Sequence, residues 1–102
     1  MVIIYTTCKD TAEATKIGKV ILDSKLASCV NIWPIQSMFH WEGKLANQLE
    51  AGMLVKTVEH HTAEIEELIT KNHSYSVPFI GVMQVHRHNR AYREWMSSVV
   101  KP

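Results

Sequence analysis

What this sequence lacks removes several classes of function at once. Its uninterrupted apolar runs last only a few residues, far below the roughly 20 that a spanning helix needs, so no membrane partner is indicated. Met1-Val2-Ile3-Ile4-Tyr5 has no basic region before its apolar residues and runs straight into strand-like sequence. A secretory signal is therefore not expected, and the expected location is cytoplasmic. Only two cysteines, Cys8 and Cys29, are present, which excludes a disulfide framework and fits reduced cytosolic thiols. The four glycines are scattered, so neither a Walker loop nor a dinucleotide-binding turn exists. No CxxC pair is available to grip a soft ion. No strand carries the aromatic pattern of an RNA-binding sheet, and no nucleophile elbow is visible. Eleven Lys and Arg against ten Asp and Glu leave a net charge of +1, without the basic face that nucleic acid requires.

What remains is an ordinary globular composition, 46% apolar and 21% charged over 102 residues, sufficient for one domain spanning residues 1–102. Val2–Thr7 has the β-branched and aromatic content of a buried strand. Asp10 is placed to cap a helix running to about Lys25. Ala14, Ile17, Ile21 and Lys25 share one face of it, with Val20 beside them. Gly18 inside that helix costs up to about 1 kcal/mol relative to Ala, which close packing against a neighbour would explain.

Residues Ala27–Thr57 read as one hairpin, with strands over Cys29–Trp41 and Lys44–Val58 around a Glu42-Gly43 turn. The turn chemistry favours a type I turn with Gly43 in a G1 bulge, and Pro34 marks a bend or bulge. Thirteen residues at about 3.3 Å each span about 43 Å. A compact chain of this length has a radius of gyration near 13 Å, so the hairpin must bend sharply or overhang and pair with another subunit.

A second helix is expected over Glu59–Asn72, with Ile65, Leu68 and Ile69 as its apolar stripe. His73–Pro78 forms a loop, Phe79–His86 a fourth strand, and Asn89 caps a last helix bearing Tyr92, Trp95, Met96 and Val99 at i, i+3, i+4 and i+7. The order β-α-β-β-α-β plus one helix is the split βαβ, or ferredoxin-like, arrangement: an α+β sandwich with two helices on one face of a four-stranded antiparallel sheet. That architecture hosts many functions and assigns none.

Histidine is the obvious chemical lead. His86 and His88 would share a strand face about 7 Å apart, a spacing that suits copper or zinc given a third ligand; a solvated strand end explains them equally simply. His60 and His61 decorate the start of the second helix, and His40 lies near the hairpin tip. Cys29 is read as a small buried hydrophobe, and Trp33, Trp41 and Trp95 as packing anchors. Lys44, Glu50 and Lys56 are evenly spaced on the return strand, so all three point to one face. This set suits a charged groove or a subunit interface, and equally the charges that protect an exposed edge.

Taken in order, Val2–Thr7, Lys25-Leu26-Ala27-Ser28-Cys29-Val30-Asn31-Ile32, Pro34, Trp41-Glu42-Gly43-Lys44, Glu50, Lys56-Thr57, His73-x-Tyr75-x-Val77-Pro78 and Asn89-x-x-Tyr92-x-x-Trp95 resemble the CutA family of divalent-cation tolerance proteins over nearly the whole chain. The resemblance implies a stable cytosolic homotrimer of ferredoxin-like subunits, whose long hairpins pair around a threefold axis as in the PII signalling proteins. It also implies ligand clefts between subunits. Carried over by position, the metal candidates are His73, Glu50 and Cys29, and the cleft candidates are Trp41, Lys44, Lys56, Tyr75 and Trp95. Copper-binding members carry a thiol at the end of the first strand and a His pair after the second helix, where this chain has Thr6 and Asn72-His73. Ala46-Asn47-Gln48 and Phe79 likewise stand where the family is often acidic, which removes hard oxygen ligands for Mg or Mn.

Three functions are then in view. The first is a non-enzymatic trimeric binding protein linked to copper and other divalent-ion tolerance, needing no cofactor and binding Cu or Zn weakly. The second is a PII-like signalling or interaction module that takes a small anion or partner protein between Lys44 and Lys56. The third, an acylphosphatase-type enzyme, needs an arginine in a phosphate-cradling loop after the first strand, and Thr6–Asp10 offers only Lys9.

Overall fold

The sheet is built around β1 (Val2–Cys8), whose alternation of buried and half-buried residues makes it two-faced. The computed structural model describes residues 1–102. β2 (Cys29–Trp41) and β3 (Lys44–Thr57) form the hairpin, and β4 (Ile80–Gln84) completes a four-stranded sheet in the order β2-β3-β1-β4. Every neighbouring pair is antiparallel. Three helices, α1 (Thr11–Asp23), α2 (Thr62–Asn72) and α3 (Arg90–Val99), accompany the sheet, and a single 3-10 turn over Glu59–His61 precedes α2. This is the expected βαββαβ order with a terminal helix.

The hairpin overhangs; it does not bend back. Register is unbroken from Cys29 opposite Lys56 to Trp41 opposite Lys44, with Pro34 facing Ala51 and no bulge. β1 covers β3 only from Ala51 to Thr57, so Ile35–Trp41 and Lys44–Glu50 pair with nothing but each other. The molecule consequently measures 47 × 26 × 20 Å. Pro34 is tolerated because β2 is an edge strand. Counting by twos from the turn-closing pair Trp41–Lys44, its nitrogen points to the open edge, where no donor is required.

The turn differs from the expected type I with a bulge. Trp41 and Lys44 pair directly across two residues, and Glu42 (φ 51°) and Gly43 (φ 77°) are both left-handed. This is a type I′ turn, which matches the right-handed twist of the long strands. Glu42 pays the steric cost of that match.

One face of the sheet carries the core. Val2, Ile4, Thr6 and Cys8 of β1 meet Ala51, Met53, Val55 and Thr57 of β3 on that face, and Ala14, Ile17, Ile21, Ile65 and Ile69 close over it from α1 and α2. Leu68 packs against the edge of this cluster. A Cβ on Gly18 would lie 3.0 Å from Val30 Cγ1, so the missing side chain lets α1 approach β2 closely. Lys25 is not part of the buried stripe. It is exposed and left-handed, φ 56°, with its N–H donated to Leu22 O at 2.9 Å and that of Leu26 to Ile21 O at 3.3 Å. α1 thus ends in a Schellman motif with lysine where glycine is usual.

β4 stops at Gln84, so His86 and His88 lie on the loop leading to α3 and do not share a strand face. α3 buries only Met96 of its four stripe residues. Asn89 holds the N-cap position without a side-chain hydrogen bond.

A left-handed L-residue other than glycine or asparagine costs about 1–2 kcal/mol. Glu42→Asn and Lys25→Gly should therefore each raise unfolding free energy by roughly 0.5–1 kcal/mol, read as higher denaturant midpoints with an unchanged m-value. Destabilisation by Glu42→Asn would rule out the type I′ assignment.

Candidate functional site

The opposite face of the sheet is open, and two clusters of functional side chains sit at its two ends. Even-numbered β3 residues point to this face, as the expected common orientation of Lys44, Glu50 and Lys56 requires. Glu50, where β3 leaves the shelter of β1, is only 9% exposed, and its Oε2 accepts a short hydrogen bond from the Tyr75 hydroxyl. Above the pair opens a cleft of about 580 Å³, walled by Phe39 and Trp41 of the overhang on one side and by Tyr75, Val77 and Phe79 on the other. Glu50 is the only charged residue in its lining. Burial, then the hydrogen bond to Glu50 and its charge, push the Tyr75 phenol well above its usual range, so Tyr75 is a donor at every physiological pH.

Tyr75 is held in place by a buried network at the base of the cleft. The His73 ring lies 4.8 Å from the Tyr75 ring and has no exposed side-chain surface. Its Nε2 is 2.7 Å from Thr7 O, and its Nδ1 accepts the Tyr75 N–H at 3.0 Å. Those two bonds define one neutral tautomer, protonated on Nε2. Glu13 closes the network, accepting the backbone N–H groups of Lys9 at 3.1 Å and Ser74 at 3.0 Å. It is itself placed by Asp10, whose Oδ1 caps α1 through the Glu13 N–H at 2.8 Å. Burial by itself would raise the Glu13 pKa, but the hydrogen bonds from Ser74 and Lys9 outweigh it and hold the carboxyl below its ordinary value.

Cys8, Glu13 and His73 offer donor atoms all within 4.8 Å of one another, the one such trio in the chain. Its donors are already committed. Glu13 serves two backbone amides and both His73 nitrogens are hydrogen bonded. Burial, then the charges of Glu13, Asp10 and Glu50, push the Cys8 thiol up to about 11, far from the thiolate a metal needs. The trio is a structural clamp. Thr6, standing where the resemblance would put a thiol, donates its hydroxyl to Phe79 O at 2.7 Å and fixes the start of β4.

The second cluster lies at the far end of β3. Lys56 faces Cys29 across the hairpin and extends its Nζ to 5.5 Å from the centroid of Tyr92, whose ring is 5.4 Å from that of Trp95. Ser28 Oγ joins Tyr92 Oη at 3.1 Å. Six residues separate Glu50 from Lys56, about 20 Å along an extended strand. Within one chain, therefore, Glu50, Tyr75 and His73 are brought together, with Trp41 on the outer wall of the same cleft and Lys44 opposite it at the hairpin tip. Cys29, Lys56 and Trp95 form a separate group, and Cys29 does not reach Glu50 or His73.

Phe39, Phe79, Glu13 and Tyr92 were not singled out as site residues by the sequence. Phe39 had a signal, because period-2 alternation sets it on the face of Trp41. Glu13 had a weaker one in its Asp-x-x-Glu spacing after β1. His61, expected as a surface residue, is buried with Nε2 2.7 Å from Lys101 O. Trp33 stacks against Tyr5 at 6.2 Å on the open face. No helix is long and apolar enough to cross a membrane.

Known proteins share this architecture. Residues 2–99 match the family model described as CutA1 divalent ion tolerance protein. A divalent-cation tolerance protein CutA from Archaeoglobus fulgidus is 39% identical over 96% of this chain and 96% of its own. One from Thermococcus kodakarensis is 36% identical over 97% and 95%. Among solved structures, the Archaeoglobus fulgidus protein, described as a periplasmic divalent cation tolerance protein, superposes with a TM-score of 0.93 at 38% identity over 99% of this chain and 100% of that one. CutA1 from Pyrococcus horikoshii gives 0.95 at 33% identity, with full coverage of both. The chain belongs to the CutA1 family of divalent ion tolerance proteins.

Two predictions test the clamp. Glu13 has a lower pKa folded than unfolded, so the unfolded chain binds its proton first and stability rises with pH. Its contribution is complete above the ordinary glutamate range and is lost as pH falls through the depressed folded value. Glu13→Gln should flatten the acid limb of a stability–pH curve and destabilise the protein near neutrality by about 1–2 kcal/mol, the cost of weakening charge-assisted bonds to part-buried amides. Separately, Cys8 should resist a water-soluble disulfide reagent until global unfolding, while Cys29 reacts first. Rapid native modification of both thiols would contradict the buried, protonated state of Cys8.

Proposed function

We propose that this protein is a non-enzymatic homotrimeric binding protein, one domain per subunit, acting in divalent-ion tolerance through ligand clefts between subunits. The observation that carries the reading is the overhanging ribbon. Met38, Phe39, Trp41, Leu45 and Leu49 are all exposed on it, and β2 offers an unpaired edge. An apolar, edge-exposed ribbon invites pairing with another chain. A neighbouring copy that covers it also supplies a reason for splitting the candidate residues into two groups. Closed against each other around a threefold axis, the Glu50–Tyr75–Trp41 end of one subunit meets the Cys29–Lys56–Trp95 end of the next.

Copper and zinc are the metals this donor set would take, with Glu50 and His73 from one subunit and Cys29 from another. The fit is poor, because a metal at His73 Nδ1 must displace the Tyr75 N–H, so binding is weak and no cofactor is required. The second reading, a PII-like module for a small anion, is favoured by one observation: Lys56 meets an aromatic ring and has no carboxylate partner.

Light scattering should give three times the 11.7 kDa chain mass; a monomer removes the inter-subunit clefts and this function with them. Titrating metal-free protein with Cu(II) should give weak binding that His73→Ala diminishes, and unchanged binding in that variant discards the proposed ligand set. Thermal shifts with phosphate and phosphorylated metabolites, scaled as RT ln(1 + [L]/Kd), decide whether an anion competes as the ligand.

A further inference from the structure

Glu50 is a nine-tenths buried carboxylate with no cation beside it. It takes part in no ion pair, and its one hydrogen-bond partner is the Tyr75 hydroxyl on Oε2; Oε1 has no protein donor and keeps its remaining contact with the solvent of the cleft. A mostly buried carboxylate without a counter-charge gains from a cation that reaches it, and this one faces a cleft large enough for a small molecule, about 580 Å³. Phe39, Trp41, Tyr75 and Phe79 share the lining with Thr7, Ala46, Gln48, Ser76 and Val77, so four aromatic rings border a cleft that holds a single negative charge.

The chemistry of that lining selects among cations. Calcium takes six to eight oxygen ligands, and magnesium keeps most of its water and is held by one or two carboxylates together with substrate phosphates. A single carboxylate among aromatic rings offers neither the oxygen cage nor a polar wall for a hydrated ion. No histidine nitrogen or cysteine sulfur lines the cleft for a softer metal. A weakly hydrated organic cation matches both features, since aromatic faces attract it through their quadrupoles and the carboxylate neutralises it. We propose that the Glu50–Tyr75 cleft binds an alkylammonium group, with Glu50 as counter-ion, Tyr75 orienting the carboxylate, and Phe39, Trp41 and Phe79 as the cage.

This rests on the reading above that the cleft is a ligand site, and names its ligand class. Two sources carry the same chemistry: a free small molecule, or the Lys44 or Lys56 side chain of a second copy of this chain. The probe is trimethylammonium chloride, followed by titration calorimetry and by saturation transfer to its N-methyl protons, with uncharged tert-butanol as the isostere. Saturable binding of trimethylammonium and none of tert-butanol is expected. Glu50→Gln should weaken binding at least tenfold, and Trp41→Ala, at an exposed position on the ribbon, severalfold without loss of folding. Binding that emerges only in Lys44→Met or Lys56→Met assigns the cage to a neighbour's lysine. No binding in any of these proteins, equal binding of tert-butanol, or binding unchanged in Glu50→Gln overturns the proposal. Light scattering on the same samples separates the two readings: a trimer that binds no alkylammonium defeats only this inference, and a monomer that binds it defeats only the assembly.

Discussion

The length mismatch between β1 and the β2–β3 hairpin is the constraint on which the rest of the structure depends. β3 runs fourteen residues and β1 only seven, so half of the hairpin finds shelter and half does not. The sheltered half, from Ala51 onward, supplies the core. The unsheltered half keeps its own hydrogen bonds because the type I′ turn matches strand twist, yet two strands alone are at best marginally stable in water. The exposed apolar side chains on the ribbon are the surface that the proposed assembly would cover. Glu50 falls at the boundary between the halves, which is why it is buried and yet still borders a cleft.

A second dependence runs through the base of that cleft. Asp10 caps α1 and sets Glu13; Glu13 holds the amides of Lys9 and Ser74; His73 spans from Thr7 O to the amide of Tyr75. Two segments distant in sequence, residues 7–13 and 73–75, are joined by these bonds, so Tyr75 meets Glu50 from a rigid support. Burial, reinforced by the charges of Glu13 and Glu50, raises the Cys8 thiol and the Tyr75 phenol. Glu50 thus stands at one end of the sheltered part of β3, and Lys56 over Tyr92 at the other.

Much of the fold was legible because the residues that decide it act locally. Asp10 with its cap, the 3.6-residue spacing of Ala14, Ile17 and Ile21, and the two long strand-like runs each specify an element without help from elsewhere. Errors arose where backbone conformation overrode residue preference. Glu42 and Lys25 adopt left-handed geometry that glycine or asparagine would favour, because strand twist at one and the Schellman bonds at the other compensate. His86 and His88 looked like strand neighbours by alternation, but β4 has only as many partners as β1 offers and ends at Gln84.

The sequence by itself determined the element order, the excess length of the hairpin and the face on which Lys44, Glu50 and Lys56 lie, since periodicity and strand length are properties of a chain read along its own axis; that the hairpin overhangs and does not bend was decided by the register of β1 on β3. Only the tertiary structure decided that Glu50 meets Tyr75, that His73 is consumed by a backbone clamp, that Phe39 and Phe79 frame a cleft, and that Cys29 stays some 20 Å from Glu50 at about 3.3 Å per strand residue. Those pairings join residues whose separation in sequence carries no periodic signal. They are fixed by which strands lie side by side and by which buried polar groups must find partners.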